Sequence, residues 1–129
     1  MIATTVLLFA LQTAPPAPTI DHLRACSTAT HAAMAVSMMV NDQPRSDFWN
    51  TVGGEIDLTI VRMTPAAQND TVATARILTQ GADAGYLRAR DTTRLPSGQL
   101  GQAVHAIFTE ARSCAAELTP DLAASEPAD

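Results

Sequence analysis

The stretch of residues 20–40 contains neither proline nor glycine, and alanine, methionine and valine recur along it. Alanine is the best helix former and is depleted in strands, so this composition predicts a helix over the whole stretch. The apolar residues occupy more than one side of that helix, which is expected of a helix at the centre of a fold. One stripe carries Cys26, Ala29, Ala33, Val36 and Val40, and a second carries Met34 and Met38.

The next segment also follows the helical period. From Ser46, a good N-cap, to about Met63, apolar residues recur at steps of three and four. Gly53 and Gly54 interrupt this pattern, and a close crossing by a neighbouring helix would explain them. Residues 55–62 alternate in a way that also fits a strand, so that helix and strand both stay open there.

A third helix is predicted where Thr64 precedes Pro65, because proline is favoured at the first position of a helix. Its expected end is Gly81, which would serve as a C-cap. Residues 83–90 are expected to add a further helical turn or two, and residues 91–96 to form a loop.

The fourth helix, from Ser97 to just before Pro120, carries one continuous apolar stripe. Four helices joined by short loops predict an all-α fold, an antiparallel up-and-down bundle. In that topology the first and last helices are antiparallel neighbours. Cys26, near the start of one, and Cys114, near the end of the other, would therefore meet at the same pole, and we expect a disulfide between them.

The N-terminal residues have the pattern of an export signal. Residues 2–11 form an uncharged apolar run about half as long as a membrane-spanning helix, and a proline-rich stretch follows. This predicts a periplasmic or secreted protein that is not an integral membrane protein. The expected organisation is a signal peptide plus Pro-rich segment at 1–19, a helical domain at 20–119 and a disordered acidic tail at 120–129.

Charge and motifs narrow the function classes. The net charge is −5, and the eight basic residues, all of them arginine, are scattered along the sequence. Nucleic-acid binding needs a basic face, which this distribution does not provide. The acidic residues are mostly isolated at predicted helix ends or in turns, and no Glu-x-x-His, GxSxG or phosphate-loop motif is present. We therefore expect a non-enzymatic protein with no cofactor.

One face of the first helix offers a candidate metal site. His31, Met34 and Met38 lie three and four residues apart, and imidazole with thioethers is a ligand set suited to Cu(I). The favoured alternative is that the methionines fill gaps in an alanine-rich core, with His31 at its edge. Trp49 likewise has two interpretations, a core residue or an exposed aromatic anchor for a partner.

Three features resemble small exported helical proteins of alphaproteobacteria: an early cysteine on the first helix, the run Phe48-Trp49-Asn50-Thr51-Val52-Gly53, and a late Cys-x-x-Glu-Leu from Cys114 to Leu118. The resemblance covers roughly residues 26–118 and implies a periplasmic helical domain without a known activity. Two functional hypotheses follow. The first is a non-enzymatic periplasmic module that binds a protein partner or a small apolar ligand. The second is a Cu(I)-binding or carrier protein that uses His31, Met34 and Met38.

Overall fold

The protein is described by a computed structural model over residues 16–128, so most of the predicted signal segment lies outside the described residues. Four long helices form the fold: α1 (Ile20–Met39), α2 (Gln43–Met63), α3 (Thr71–Thr93) and α4 (Ser97–Leu118). A 3-10 turn (Pro65–Ala67) follows α2, and a one-turn helix, α5 (Pro120–Ala123), follows α4. Residues 16–128 contain no strand, which confirms the all-α prediction and places residues 55–62 within α2. None of these helices is long and apolar enough to cross a membrane.

The first helix is the centre of the bundle, as predicted. It packs against α2, α3 and α4, whereas α3 and α4 contact each other little. The fourth helix, α4, runs antiparallel to α1, and the Cys26–Cys114 disulfide joins the two at one pole with a Cα–Cα distance of 5.5 Å. At the other end of this pair, Val36 and Val104 line the same shallow groove. The predicted pairing of the first and last helices is therefore confirmed.

The aromatic part of the core is built around Trp49 of α2, which is fully buried. Its ring meets that of Phe48 edge-on, with a centroid distance of 4.8 Å, and lies 6.4 Å from the ring of Phe108 on α4. Aromatic pairs favour such tilted geometries. Trp49 is thus a core residue and not an exposed anchor.

The second helix begins earlier than the predicted Ser46. Asp42 is its N-cap, and the Asp42 carboxylate accepts hydrogen bonds from the backbone N–H of Arg45 at 3.2 Å and from the Arg45 guanidinium at 2.9 Å. These contacts hold the pKa of Asp42 below its usual range, the backbone hydrogen bond contributing most. Pro44 is accommodated in the first turn, where a helix does not need its missing N–H.

The third helix begins later than predicted. Pro65 opens only the short 3-10 turn, and Thr71 is the first residue of α3. The side chain of Asp70 caps the helix by accepting hydrogen bonds from the backbone N–H groups of Val72 and Ala73, both at 3.0 Å. Because this cap satisfies two of the free N–H groups of the first turn, Asp70 is a stronger start signal than proline alone.

Gly81 does not end the third helix, which continues through it to Thr93. Both Gly81 and Gly85 are buried where α3 lies against α1. A Cβ at Gly85 would lie 2.6 Å from the backbone nitrogen of Ala32, closer than side chains approach. These glycines permit close helix packing and are not stop signals. The separate turn predicted at residues 83–90 is therefore part of α3.

The C-terminal segment, for which the sequence predicts disorder, contains α5 (Pro120–Ala123). Leu122 and Ala123 of α5 pack against the core, and Glu126 accepts a hydrogen bond from the Arg112 side chain at 2.9 Å. Burial of Leu122 gives this end of the chain an apolar contact that its acidic, proline-containing composition does not suggest. These contacts connect the C-terminal segment to the bundle as far as Glu126.

Candidate functional site

A buried polar network joins α1 to α2. Ser27 and His31 lie one turn apart on α1, and both face Asp57 of α2. The Ser27 hydroxyl donates to Asp57 Oδ1 at 2.5 Å, and His31 Nε2 donates to Asp57 Oδ2 at 2.8 Å. All three residues are at least nine-tenths buried. Each carboxylate oxygen therefore has a protein donor in place of the water that it lost on folding.

Two glycines make room for this network. A Cβ on Gly53 of α2 would lie 2.9 Å from His31 Nε2, and a Cβ on Gly81 of α3 would overlap the Ser27 hydroxyl. The expectation of a close helix crossing is thus confirmed at Gly53. It does not hold for Gly54, where an added Cβ would meet nothing within 4 Å.

The connectivity of the network differs from that of a catalytic triad. In a Ser-His-Asp triad the imidazole lies between the hydroxyl and the carboxylate, and takes the serine proton. Here Asp57 lies between Ser27 and His31, so the hydroxyl proton is directed at a carboxylate. The arrangement fixes α1 against α2 and orients the Ser27 oxygen.

A cavity of about 100 Å³ lies beside this network, between α1, α2 and α3. Ser27 connects the two features, because its side chain belongs to the network and also lines the cavity. The other lining residues come from all three helices: Arg24 and Thr28 of α1, Ile60 of α2, and Ile77, Gln80, Gly81 and Ala84 of α3. The wall therefore combines aliphatic side chains with several groups that can form hydrogen bonds, as binding sites for small molecules do.

The candidate metal ligands do not share one environment. His31 is buried with Nε2 bound to Asp57, Met34 is half-buried against the core, and Met38 is 59% exposed. Among residues 16–128, no group of three or more His, Cys, Asp or Glu side chains is arranged to hold a metal ion. His31 Nδ1 is buried and has no hydrogen-bond partner within that part of the chain.

The disulfide pole carries a further histidine whose partner sequence analysis missed. His22 Nε2 lies 2.9 Å from Glu117 Oε2 and 3.8 Å from Cys26 Sγ. Both residues are about half exposed, so the His22–Glu117 contact is worth at most about 1 kcal/mol. The contact adds to the pairing of α1 with α4 without forming a separate site.

Asp57 is the functional candidate that sequence analysis missed. Its one available signal was the polar pair Ser27 and His31, four residues apart in an apolar helix, since buried polar groups require partners. The cavity gave no such signal. Its residues come from three helices, and the spacing of residues in the sequence does not specify which helices contact each other.

A comparison of the chain with models of protein families, with curated proteins and with solved structures gives no match.

Proposed function

We propose that this protein is an exported, non-enzymatic binding module that takes a small ligand into the cavity between α1, α2 and α3. The observation that carries the proposal is the cavity itself, together with its position against a hydrogen-bonded network. Because Asp57 and His31 fix the position of Ser27, the inner end of the cavity is organised before a ligand arrives. Such preorganisation lowers the entropic cost of binding.

The lining sets what the site accepts. Ile60, Ile77 and Ala84 offer aliphatic contacts, whereas Ser27 and Thr28 offer hydroxyl groups. A wholly apolar ligand would bury the Thr28 hydroxyl without a partner, which costs free energy. The proposed ligand is therefore small and amphipathic, which differs from the protein partner or small apolar ligand expected from the sequence.

Export is the second part of the proposal. The Cys26–Cys114 disulfide supports it, because structural disulfides persist in oxidising compartments and are rare in the cytosol. N-terminal sequencing of the protein from a cell that expresses the whole chain tests this part. The expected product starts within or just after the proline-rich stretch and occurs in the periplasm or medium. A cytosolic product that retains Met1 would contradict export.

The binding proposal is tested on protein released from the periplasm and examined by native mass spectrometry. We expect a bound small molecule on the wild-type chain. Ala84→Leu should displace it, because the larger side chain fills the cavity. The matched control is Ala116→Leu, at an exposed position of α4 outside the cavity, which should retain the ligand. An unliganded mass for the wild type, or an unchanged ligand on Ala84→Leu, contradicts the proposal.

A second proposal, a Cu(I) carrier using His31, Met34 and Met38, rests on one observation. His31 Nδ1 is buried and has no hydrogen-bond partner within residues 16–128, so this ring nitrogen is available as a metal ligand. Competition against a chromophoric Cu(I) chelator tests it, with cuprous ion as the probe. Loss of binding in the variant Met34→Leu/Met38→Leu would support the carrier, and unchanged binding would end this proposal.

A further inference from the structure

The size of the cavity restricts its occupant. A volume of about 100 Å³ is several times the roughly 10–15 Å³ that one water requires, and is smaller than the cavity of about 150 Å³ known to bind benzene. The enclosed part of the ligand therefore has on the order of four to six non-hydrogen atoms. This excludes lipids, peptides and nucleotides from the interior of the site.

The inner end of the cavity presents a hydrogen-bond acceptor. Ser27 has one hydroxyl proton, and it is donated to Asp57 Oδ1. The serine oxygen can then offer the cavity only its lone pairs. The Asp57 carboxylate is close to the same end of the cavity. Its Oδ1 atom lies 3.3 Å from the position that a Cβ on Gly81, a lining residue, would occupy. An anionic group at this end would be repelled, so the ligand should present a donor there.

The mouth of the cavity presents donors. Arg24 is exposed there, and its nearest carboxylate, Asp21, is 3.9 Å away in a loose surface pair. The Thr28 hydroxyl and the Gln80 amide also line the cavity, and neither forms a hydrogen bond within residues 16–128. Thr30 of the same helix differs, because its hydroxyl donates to the backbone carbonyl of Cys26 at 2.9 Å. A guanidinium with neighbouring N–H and O–H donors matches a carboxylate in geometry and charge.

These three constraints rest on the proposed function and define its ligand further. We propose that the cavity binds a short carboxylate that carries an amine or hydroxyl donor on a neighbouring carbon, that is, a small amino or hydroxy acid. Its carboxylate pairs with Arg24, Thr28 and Gln80, and its donor binds the Ser27 oxygen. Its short carbon chain contacts Ile60, Ile77 and Ala84.

The test is a titration of the protein, with its disulfide intact, with matched probes, followed by NMR or calorimetry. Lactate and alanine carry both groups, propionate lacks the donor, and propane-1,2-diol lacks the carboxylate. We expect lactate or alanine to bind at least about tenfold more tightly than the other two probes. Which of the two binds distinguishes a hydroxy acid from an amino acid. Equal affinity for all four probes would overturn the proposal.

Two variants separate the two ends of the site. Arg24→Gln should weaken lactate or alanine and propionate by about tenfold and leave propane-1,2-diol unchanged. Arg94→Gln, at an exposed position outside the cavity, is its control.

At the inner end of the cavity, Ser27→Ala should remove the preference for lactate or alanine over propionate. Because Ser27→Ala also disturbs Asp57, Thr28→Val supplies a second test, which should weaken both carboxylates without touching the network. Unchanged affinities in Arg24→Gln and Thr28→Val contradict the assignment of the carboxylate end.

The two experiments distinguish failure of the amino or hydroxy acid assignment from failure of the proposal that the cavity binds a ligand. If native mass spectrometry finds a ligand that Ala84→Leu displaces, and lactate and alanine fail to bind, the cavity remains a binding site and the amino or hydroxy acid assignment is wrong. If Ala84→Leu retains the ligand, the cavity is not the binding site, and both proposals fail.

Discussion

Asp57 places a carboxylate in the interior, 3% exposed, among side chains that are mostly uncharged. Removing one partner of such a group leaves the others buried without hydrogen bonds, and each unsatisfied group costs about 1–3 kcal/mol. We expect Asp57→Ala to lower the free energy of unfolding by about 3 kcal/mol, because it strands both Ser27 and His31. Denaturant unfolding measures the change. Glu55→Ala, at an exposed position of the same helix, should stay within about 0.5 kcal/mol of wild type. Equal values for the two variants would show that the network does not stabilise the fold.

Asp42 makes a prediction about acid stability. Its pKa is lower in the folded protein because the Arg45 backbone N–H and guanidinium favour the ionised carboxylate. Such a group stabilises the fold above its unfolded-state pKa of about 4, and this stabilisation is lost as the pH falls through the lower folded-state pKa. Asn also caps helices. Asp42→Asn should therefore lose less stability than wild type between pH 7 and about pH 2, measured by denaturant unfolding. Asp83→Asn, at an exposed position, should behave as wild type, and a similar change there would refute the assignment.

At the scale of the helix, glycine decides how closely α3 approaches α1. A Cβ on Gly85 would meet backbone atoms of Ala32 and His31, which cannot move aside as a flexible side chain can. We expect Gly85→Ala to destabilise the protein by about 1–3 kcal/mol. Gly54→Ala is the matched control, because its Cβ enters open space within α2 and should stabilise by about 0.5–1 kcal/mol. Thermal unfolding of both variants tests the pair, and the same sign of change in both would contradict the packing argument.

The helices themselves were predictable from the sequence, because their apolar period and the proline-free central stretch are local properties. The role of Gly81 was not predictable from the sequence. A glycine can end a helix as a C-cap or permit close packing, and which of the two it does depends on whether another helix lies against it. The start of α3 had a local signal in Asp70 that competed with Pro65. Asp57 could not be assigned because its partners lie on another helix, 26 and 30 residues away in sequence. The cavity depends on the same unspecified contacts.

For the molecule as a whole, the contact pattern makes the disulfide more than a local link. The last helix depends on its contacts with α1, because it meets α3 only slightly. The Cys26–Cys114 bond closes a loop with a sequence separation of 88 residues at the pole where these two helices meet. Restricting the unfolded chain by such a loop stabilises the folded state by about 4.6 kcal/mol in the chain-entropy description.

We therefore expect reduction to lower the free energy of unfolding by about 4.6 kcal/mol, and α4 to exchange its amide hydrogens faster than α2 once the bond is broken. Denaturant unfolding and hydrogen exchange, each with and without a dithiol, measure the two effects. The variant Cys26→Ala/Cys114→Ala should match the reduced protein and show no response to the dithiol, which excludes a direct effect of the reagent. Uniform acceleration of exchange across all four helices would contradict selective loosening of α4, because the bond would then stabilise the bundle as one cooperative unit.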